Sequence, residues 1–217
     1  MNLPNALTLG RFVMTAIMMI LLASTFPFAR TLALLVFGLA ALTDAFDGHL
    51  ARTRYGVTPF GELMDPLADK VLVCAAFVAL VEIPAPGTAR PLVPAWAVVL
   101  MISREFLVTG LRLLAAGEGR RIPAGPWGKH KTILQMITLT IQLLGLALIQ
   151  DMLPALKIEA KGLQAVFPMI SDVLVWATAA ITTLSGIFYF MEHRDLLHTR
   201  GGPPAWTRED PPSDRAG

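Results

Sequence analysis

The residues able to do chemistry are concentrated in one stretch, TDAFDGHLARTRYGVTPFGELMDPLADK, residues 43 to 70. It carries Asp44, Asp47, Asp65 and Asp69, with Gly48, Ala51, Arg52 and Gly61 among them. Positions i, i+3, i+4 and i+7 of an α-helix share a face. Asp44, Asp47, Gly48 and Ala51 would therefore form one stripe, two carboxylates followed by two very small residues. Small residues let a bulky ligand approach the backbone. Asp65 and Asp69 are i and i+4, and Asp65 directly before Pro66 has the pattern of a helix N-cap with proline at the first helical position. Two such faces brought together would gather four carboxylates, which repel one another or take up protons unless cations are bound. Hard divalent ions with oxygen ligands, Mg²⁺ or Mn²⁺, meet that need and suit a phosphate-bearing substrate. A pair of ions roughly 3.5 to 4 Å apart is the usual arrangement for phosphoryl chemistry, and the guanidinium fork of Arg52 fits a pyrophosphate. The stretch points to a metal-dependent reaction on a phosphate ester. Any one of these aspartates, Asp65 above all, could instead be a helix cap or a solvated interfacial group. A row of intramembrane acids also suits an ion path, but that reading leaves the glycines and Arg52 without a purpose.

These carboxylates must be positioned by apolar elements. Of the 217 residues 54% are hydrophobic, with a mean hydropathy of +0.59, too apolar for a soluble domain with a charged surface. Apolar runs at 6–28, 31–46, 71–83, 92–116, 132–150 and 166–191 can each supply most of a membrane span of about 20 residues. The 71–83 run reaches that length by starting near Asp65, so the carboxylate stretch itself forms part of two helices. The expectation is an all-α integral membrane protein with six transmembrane helices in one domain, residues 1–191, followed by a cytoplasmic, disordered tail, residues 192–217, rich in proline, glycine and mixed charge.

Under this count Arg52, Arg54, Arg120, Arg121, Lys129, Lys131, Arg194, Arg200, Arg208 and Arg215 fall on one side, and Arg30, Arg90, Lys157 and Lys161 on the other. The positive-inside rule then makes both termini cytoplasmic and sets the aspartates at the cytoplasmic face. The N-terminus has no basic region before Pro4, and Arg11 lies at the start of the apolar run, so the first run is expected to stay as a helix. Cys74, the single cysteine, offers neither a disulfide nor a cysteine metal site and is expected as a small buried hydrophobe.

Asp44, Asp47, Gly48, Ala51, Arg52, Gly61, Asp65 and Asp69 reproduce D-x2-D-G-x2-A-R-x8-G-x3-D-x3-D at every specified position. The stretch resembles the signature of the CDP-alcohol phosphotransferases. That resemblance implies a six-helix membrane enzyme that transfers a substituted phosphate from a CDP-linked donor to an alcohol and releases CMP. It also implies that Asp44, Asp47 and Asp65 bind two divalent ions, and that Asp69 touches one of them and serves as general base. Gly48, Ala51 and Gly61 would make room for the CDP moiety, and Arg52 would contact its phosphates. NLPNALTLGR near the N-terminus, SREFLVTGLR at 103–112 and GKHKTILQM at 128–136 are similar to the corresponding parts of bacterial phosphatidylglycerophosphate synthases. The resemblance then covers most of residues 1–145 and implies CDP-diacylglycerol as donor, sn-glycerol 3-phosphate as acceptor and an active site facing the cytoplasm from the inner membrane. It leaves a homodimer open; no feature points to nucleic acid.

The bases outside the motif agree with an anionic acceptor. Arg104 and Arg112 lie eight residues apart on the fourth run, which returns them to roughly one face. Lys129 and Lys131 begin the fifth helix on the same side. This group of cations suits the phosphate of glycerol 3-phosphate. Arg120 and Arg121 need no purpose beyond the positive-inside rule. Glu105 is expected to pair with a neighbouring base and has no catalytic role. His49 and His130 each lack a second histidine at ligand spacing and read as structural. Arg11 either snorkels to the headgroups or reaches the pocket. Within the family, a phosphatidylinositol phosphate synthase would share the need for a cationic pocket, and a cardiolipin synthase would take phosphatidylglycerol. Outside it, the alternative is a divalent-ion transporter.

Overall fold

Most of each apolar run lies in a helix in a computed structural model of the chain, which describes residues 3–54, 59–117 and 126–194. The elements are α1 (Leu3–Ala23), α2 (Ala29–Arg54), α3 (Pro59–Glu82), α4 (Ala95–Gly117), α5 (Pro126–Leu146) and α6 (Lys161–Glu192). α5 continues through a π-helical turn, Ala147–Met152, and a last α-turn, Leu153–Ala155. Among the described residues there is no β-strand, and the one extended pairing is an antiparallel bridge between Pro84 and Pro91. Nearly all of the tail expected over 192–217 lies outside the described residues.

One boundary departs from expectation. α3 begins at Pro59 rather than after Asp65, so Asp65 is not the N-cap that the Asp-Pro pair suggests, and Pro66 sits inside the helix. Pro59 supplies the same preset φ for a helix start. Pro66 then lacks the N–H for the carbonyl four residues back, and its ring crowds that carbonyl. α2, by contrast, runs unbroken to Arg54, so Asp44 to Arg52 lie on one helix, as their spacing requires.

The bundle wears its apolar residues outside. Ile20, Leu39, Phe106, Met169 and Val173 are exposed, whereas Thr138, Gln142, Ser171, Thr178 and Thr182 are buried. The Thr138 and Thr178 hydroxyls share a hydrogen bond of 2.7 Å between α5 and α6. Gln142 Nε2 donates to Ser171 Oγ at 2.7 Å, and the Ser171 hydroxyl donates to the Leu92 carbonyl at 3.1 Å. Hydrocarbon offers polar groups no partner, so side-chain bonds of this kind join helices within a bilayer. Met18, Phe37, Phe77, Leu80, Leu139 and Leu143 fill the centre. α1 packs on α2 and α3, α4 on α6, and α5 on both α2 and α6. His130–Ala155 and Lys161–Glu192 are each long and apolar enough to cross a membrane, and Leu9–Ala23 and Ala29–Thr43 are shorter apolar helices. The elements of the described residues are helical, and the apolar helices are compatible with a membrane protein.

Polar ties close the end where α2 begins. Asp151 Oδ2 accepts from the Thr31 N–H at 2.7 Å and from its hydroxyl at 2.9 Å, which satisfies the start of α2 and complements its dipole. Arg30 Nε donates to Gln150 Oε1 at 3.0 Å. Arg90, in the α3–α4 connection, forms a two-bond fork with Asp172 at 2.9 and 2.8 Å, and this bonding raises the Arg90 pKa above its ordinary value.

The α5–α6 contact depends on one missing side chain. A Cβ on Gly145 would fall 1.9 Å from the Phe167 ring. Gly145→Ala is therefore expected to cost about 1–3 kcal/mol through overpacking, read as a lower unfolding temperature of the detergent-solubilised protein. An unchanged unfolding temperature would contradict the close approach.

Candidate functional site

The motif is divided between two helices. Asp44, Asp47, Gly48, Ala51 and Arg52 lie on α2, and Gly61, Asp65 and Asp69 on α3. Their side chains, and that of Lys129, lie outside the described residues. Among the described residues no three His, Cys, Asp or Glu side chains come together as a metal site. The four motif carboxylates, all hard oxygen donors, are a set that fits a divalent ion.

Directly after the motif, α3 turns a face to a cavity of about 520 Å³. Lys70, Val73, Cys74 and Phe77, at helical spacing, form its α3 wall. Arg104, Glu105 and Arg112 of α4, Lys131 of α5 and Tyr189 of α6 contribute the polar groups. The volume lies within the range of small-molecule sites.

The charges in this cavity are organised around Glu105. Its carboxylate accepts from Lys131 Nζ and, at 3.3 Å, from Arg104 Nη1. The three side chains are only 10%, 5% and 11% exposed, for Glu105, Lys131 and Arg104. A charge buried this deeply is tolerated when paired and hydrogen-bonded. The Glu105 carbonyl accepts from the Thr109 hydroxyl at 2.6 Å, and Thr109 Oγ1 in turn accepts from Lys70 Nζ. One network thus links α3, α4 and α5. The Arg104 stem lies against Gly186 of α6, where a Cβ would stand 2.7 Å from Arg104 Cγ. Arg112 is exposed, two turns further along α4. Among the described residues the lining holds four cations, Lys70, Arg104, Arg112 and Lys131, and two carboxylates, Glu105 and Glu192. Such a group of cations is suited to a phosphate dianion.

Arg104, Arg112 and Lys131 are therefore brought to one cavity from two helices. Glu105 pairs with a base as expected, but with two of them, and the more deeply buried one comes from another helix. Lys70 and Tyr189 are polar cavity residues that sequence reasoning did not single out. For Lys70 a signal existed, since it follows the last motif aspartate at the edge of an apolar run. Tyr189, an aromatic residue in an apolar helix, carries no such signal. Cys74 is half-buried on the cavity wall rather than a core hydrophobe, because the α3 face it shares with Lys70 opens onto the cavity. Arg11 is 2% exposed, so it is buried in the bundle and does not snorkel. His130 is exposed. A second cavity, about 460 Å³, lies where α2 begins, and its Arg30, Gln150 and Asp151 are engaged in the helix-end bonds described above.

Comparison with known proteins adds to this geometry. Residues 1–184 match the family model described as CDP-alcohol phosphatidyltransferase. The chain is 37% identical over 210 residues to the CDP-diacylglycerol–glycerol-3-phosphate 3-phosphatidyltransferase of Bacillus subtilis, with 91% of this chain and 98% of that protein covered. It is 34% identical over 190 residues to the protein of the same name from Rickettsia bellii, covering 87% and 93%. A third of that name, from Pseudomonas fluorescens, is 38% identical over 146 residues, covering 66% and 72%.

Proposed function

The chain belongs to the CDP-alcohol phosphatidyltransferase family, and from that premise we propose that it transfers the phosphatidyl group of CDP-diacylglycerol to sn-glycerol 3-phosphate. The products are phosphatidylglycerophosphate and CMP, which makes it a membrane phosphatidyltransferase of phospholipid biosynthesis. The single observation that carries the acceptor is the cavity to which Arg104, Arg112, Lys131 and Lys70 are brought together from three helices.

The family depends on divalent metal. Asp44, Asp47, Asp65 and Asp69 would hold two ions, Mg²⁺ or Mn²⁺, which when bound stabilise charge on the transferring phosphate and the departing CMP. Arg52 forks onto the donor's pyrophosphate, while Gly48, Ala51 and Gly61 leave room for the CDP moiety. Asp69 takes the proton from the acceptor's primary hydroxyl. That oxygen bonds to the β-phosphorus as the bond from this phosphorus to the CMP oxygen breaks. The register of α3 supports this role: Asp69 immediately precedes Lys70 and lies one turn before Val73, two residues of the cavity wall. Arg104, Arg112, Lys129 and Lys131 hold the acceptor's phosphate.

Residues 1–191 form the catalytic membrane domain, with six spans, both termini cytoplasmic and the cavity open to the cytoplasm from the inner membrane; residues 192–217 are a cytoplasmic tail. The distribution of Lys and Arg supports this orientation. The lipid chains stay in the bilayer while the headgroup enters the polar site.

The test is CMP release at varied glycerol 3-phosphate, in the wild type and in Arg112→Ala. The wild type should saturate with glycerol 3-phosphate, and the variant's KM for it should rise about tenfold. Its KM for CDP-diacylglycerol should change little. Equal rises for both substrates would make Arg112 structural, and a wild type indifferent to glycerol 3-phosphate would overturn the acceptor assignment.

A further inference from the structure

Two buried polar atoms on the wall of the acceptor cavity, Arg104 Nε and Tyr189 Oη, have no hydrogen-bond partner among the described residues. Tyr189 is 8% exposed, yet it lines the cavity together with Arg104 and Arg112. Its ring is fixed from the side of His193: the two rings stack with centroids 4.5 Å apart at 28°. The Tyr189 carbonyl accepts from the His193 backbone N–H at 3.2 Å and lies 3.0 Å from His193 Nδ1. One turn earlier, Gly186 gives Arg104 its space on α6. The ring is thus held in place while its hydroxyl is left unbonded, and a buried hydroxyl without a partner lowers stability. Both unpartnered atoms sit on groups that donate, in a cavity that Lys70, Arg104, Arg112 and Lys131 also line. A ligand that meets them must bring acceptor oxygens and negative charge, as a phosphate monoester does.

We propose that the Tyr189 hydroxyl is a direct ligand of the acceptor's phosphate, donating to one of its oxygens beside the Arg104 guanidinium, and that it helps select a phosphorylated alcohol over a neutral one. This rests on the reaction assigned above. Tyr189 receives no role from the aspartate motif, which ends 120 residues earlier at Asp69.

Tyr189→Phe removes the hydroxyl and keeps the ring and its stack on His193. The KM for glycerol 3-phosphate is expected to rise about tenfold, the loss of one hydrogen bond to a charged group. The KM for CDP-diacylglycerol should stay within about twofold and kcat should be nearly unchanged. Inorganic phosphate, tested as a competitive inhibitor against glycerol 3-phosphate, should weaken by the same factor as KM rises. The unfolding temperature should not fall, because the atom removed has no partner among the described residues. An unchanged acceptor KM, a rise confined to the donor, or a KM rise without any change in phosphate inhibition would each overturn the proposal. So would a lower unfolding temperature with normal kinetics, which would mark the hydroxyl as structural. Failure of the wild type to use glycerol 3-phosphate would strike the assigned reaction itself, whereas normal wild-type turnover with an unaffected variant would strike Tyr189 alone.

Discussion

Replacing Asp69 with Asn is expected to lower kcat by about 1,000-fold, within the range a positioned acid or base contributes. The amide matches the carboxylate in shape and keeps one oxygen for a metal ion, but it cannot accept the proton of the acceptor's hydroxyl. The other three motif carboxylates remain, so binding of CDP-diacylglycerol should be largely preserved. Asp69 is the motif aspartate nearest the acceptor cavity along α3, directly before Lys70. A base has to be within reach of the hydroxyl it deprotonates, and that position gives Asp69 the claim over Asp65. The measurement is steady-state CMP release, paired with donor binding to the resting protein. Retained turnover at neutral pH would remove Asp69 as the base, and loss of donor binding in proportion to rate would make it a metal ligand alone.

Glu105→Gln is expected to lower kcat/KM for glycerol 3-phosphate by about 100-fold, with most of the change in KM. Two effects oppose each other here. Removing a negative charge from the cavity should by itself tighten an anion, since Coulomb attraction grows with net charge. Against that, Glu105 is the carboxylate that receives both Lys131 and Arg104. Deleting one member of a buried ionic group leaves its partners uncompensated, at a cost of about 3–5 kcal/mol. The cations then relax toward water or the remaining carboxylate rather than hold the fork a phosphate needs. The burial of Lys131 decides in favour of the second effect. A lower unfolding temperature should accompany the kinetic loss, and Glu105→Asp, which restores the charge on a shorter stem, should recover part of both. Tighter glycerol 3-phosphate binding in Glu105→Gln would show that net charge governs the cavity and that Glu105 does not orient the cations.

The helices were legible because each apolar run is long enough to span a bilayer and is bounded by charge, proline or glycine. The start of α3 was misread because two prolines, Pro59 and Pro66, both fit a helix start, and the Asp before Pro66 makes it locally the better cap. The shared helices of Asp44 and Asp47, of Asp65 and Asp69, and of Arg104 and Arg112 were legible because each of these spacings lies within a single helix. The Glu105–Lys131 pair joins residues 26 apart on different helices, and the approach of Gly186 to Arg104 joins α4 to α6. Contacts of that kind depend on helix packing and leave no periodic trace. Arg11 was ambiguous because an arginine one turn inside an apolar run can either snorkel or turn inward, and it is packing against α2 and α3 that buries it.

CMP release by the purified protein, supplied with CDP-diacylglycerol and Mg²⁺ and offered glycerol 3-phosphate, inositol phosphate, serine and phosphatidylglycerol in turn, tests the assigned reaction most directly. Turnover with glycerol 3-phosphate alone, and phosphatidylglycerophosphate identified by mass as the lipid product, is the predicted result. Turnover with a different acceptor would keep the aspartate chemistry and overturn the reading of the cationic cavity, and folded protein that releases no CMP with any of them would contradict the assigned reaction.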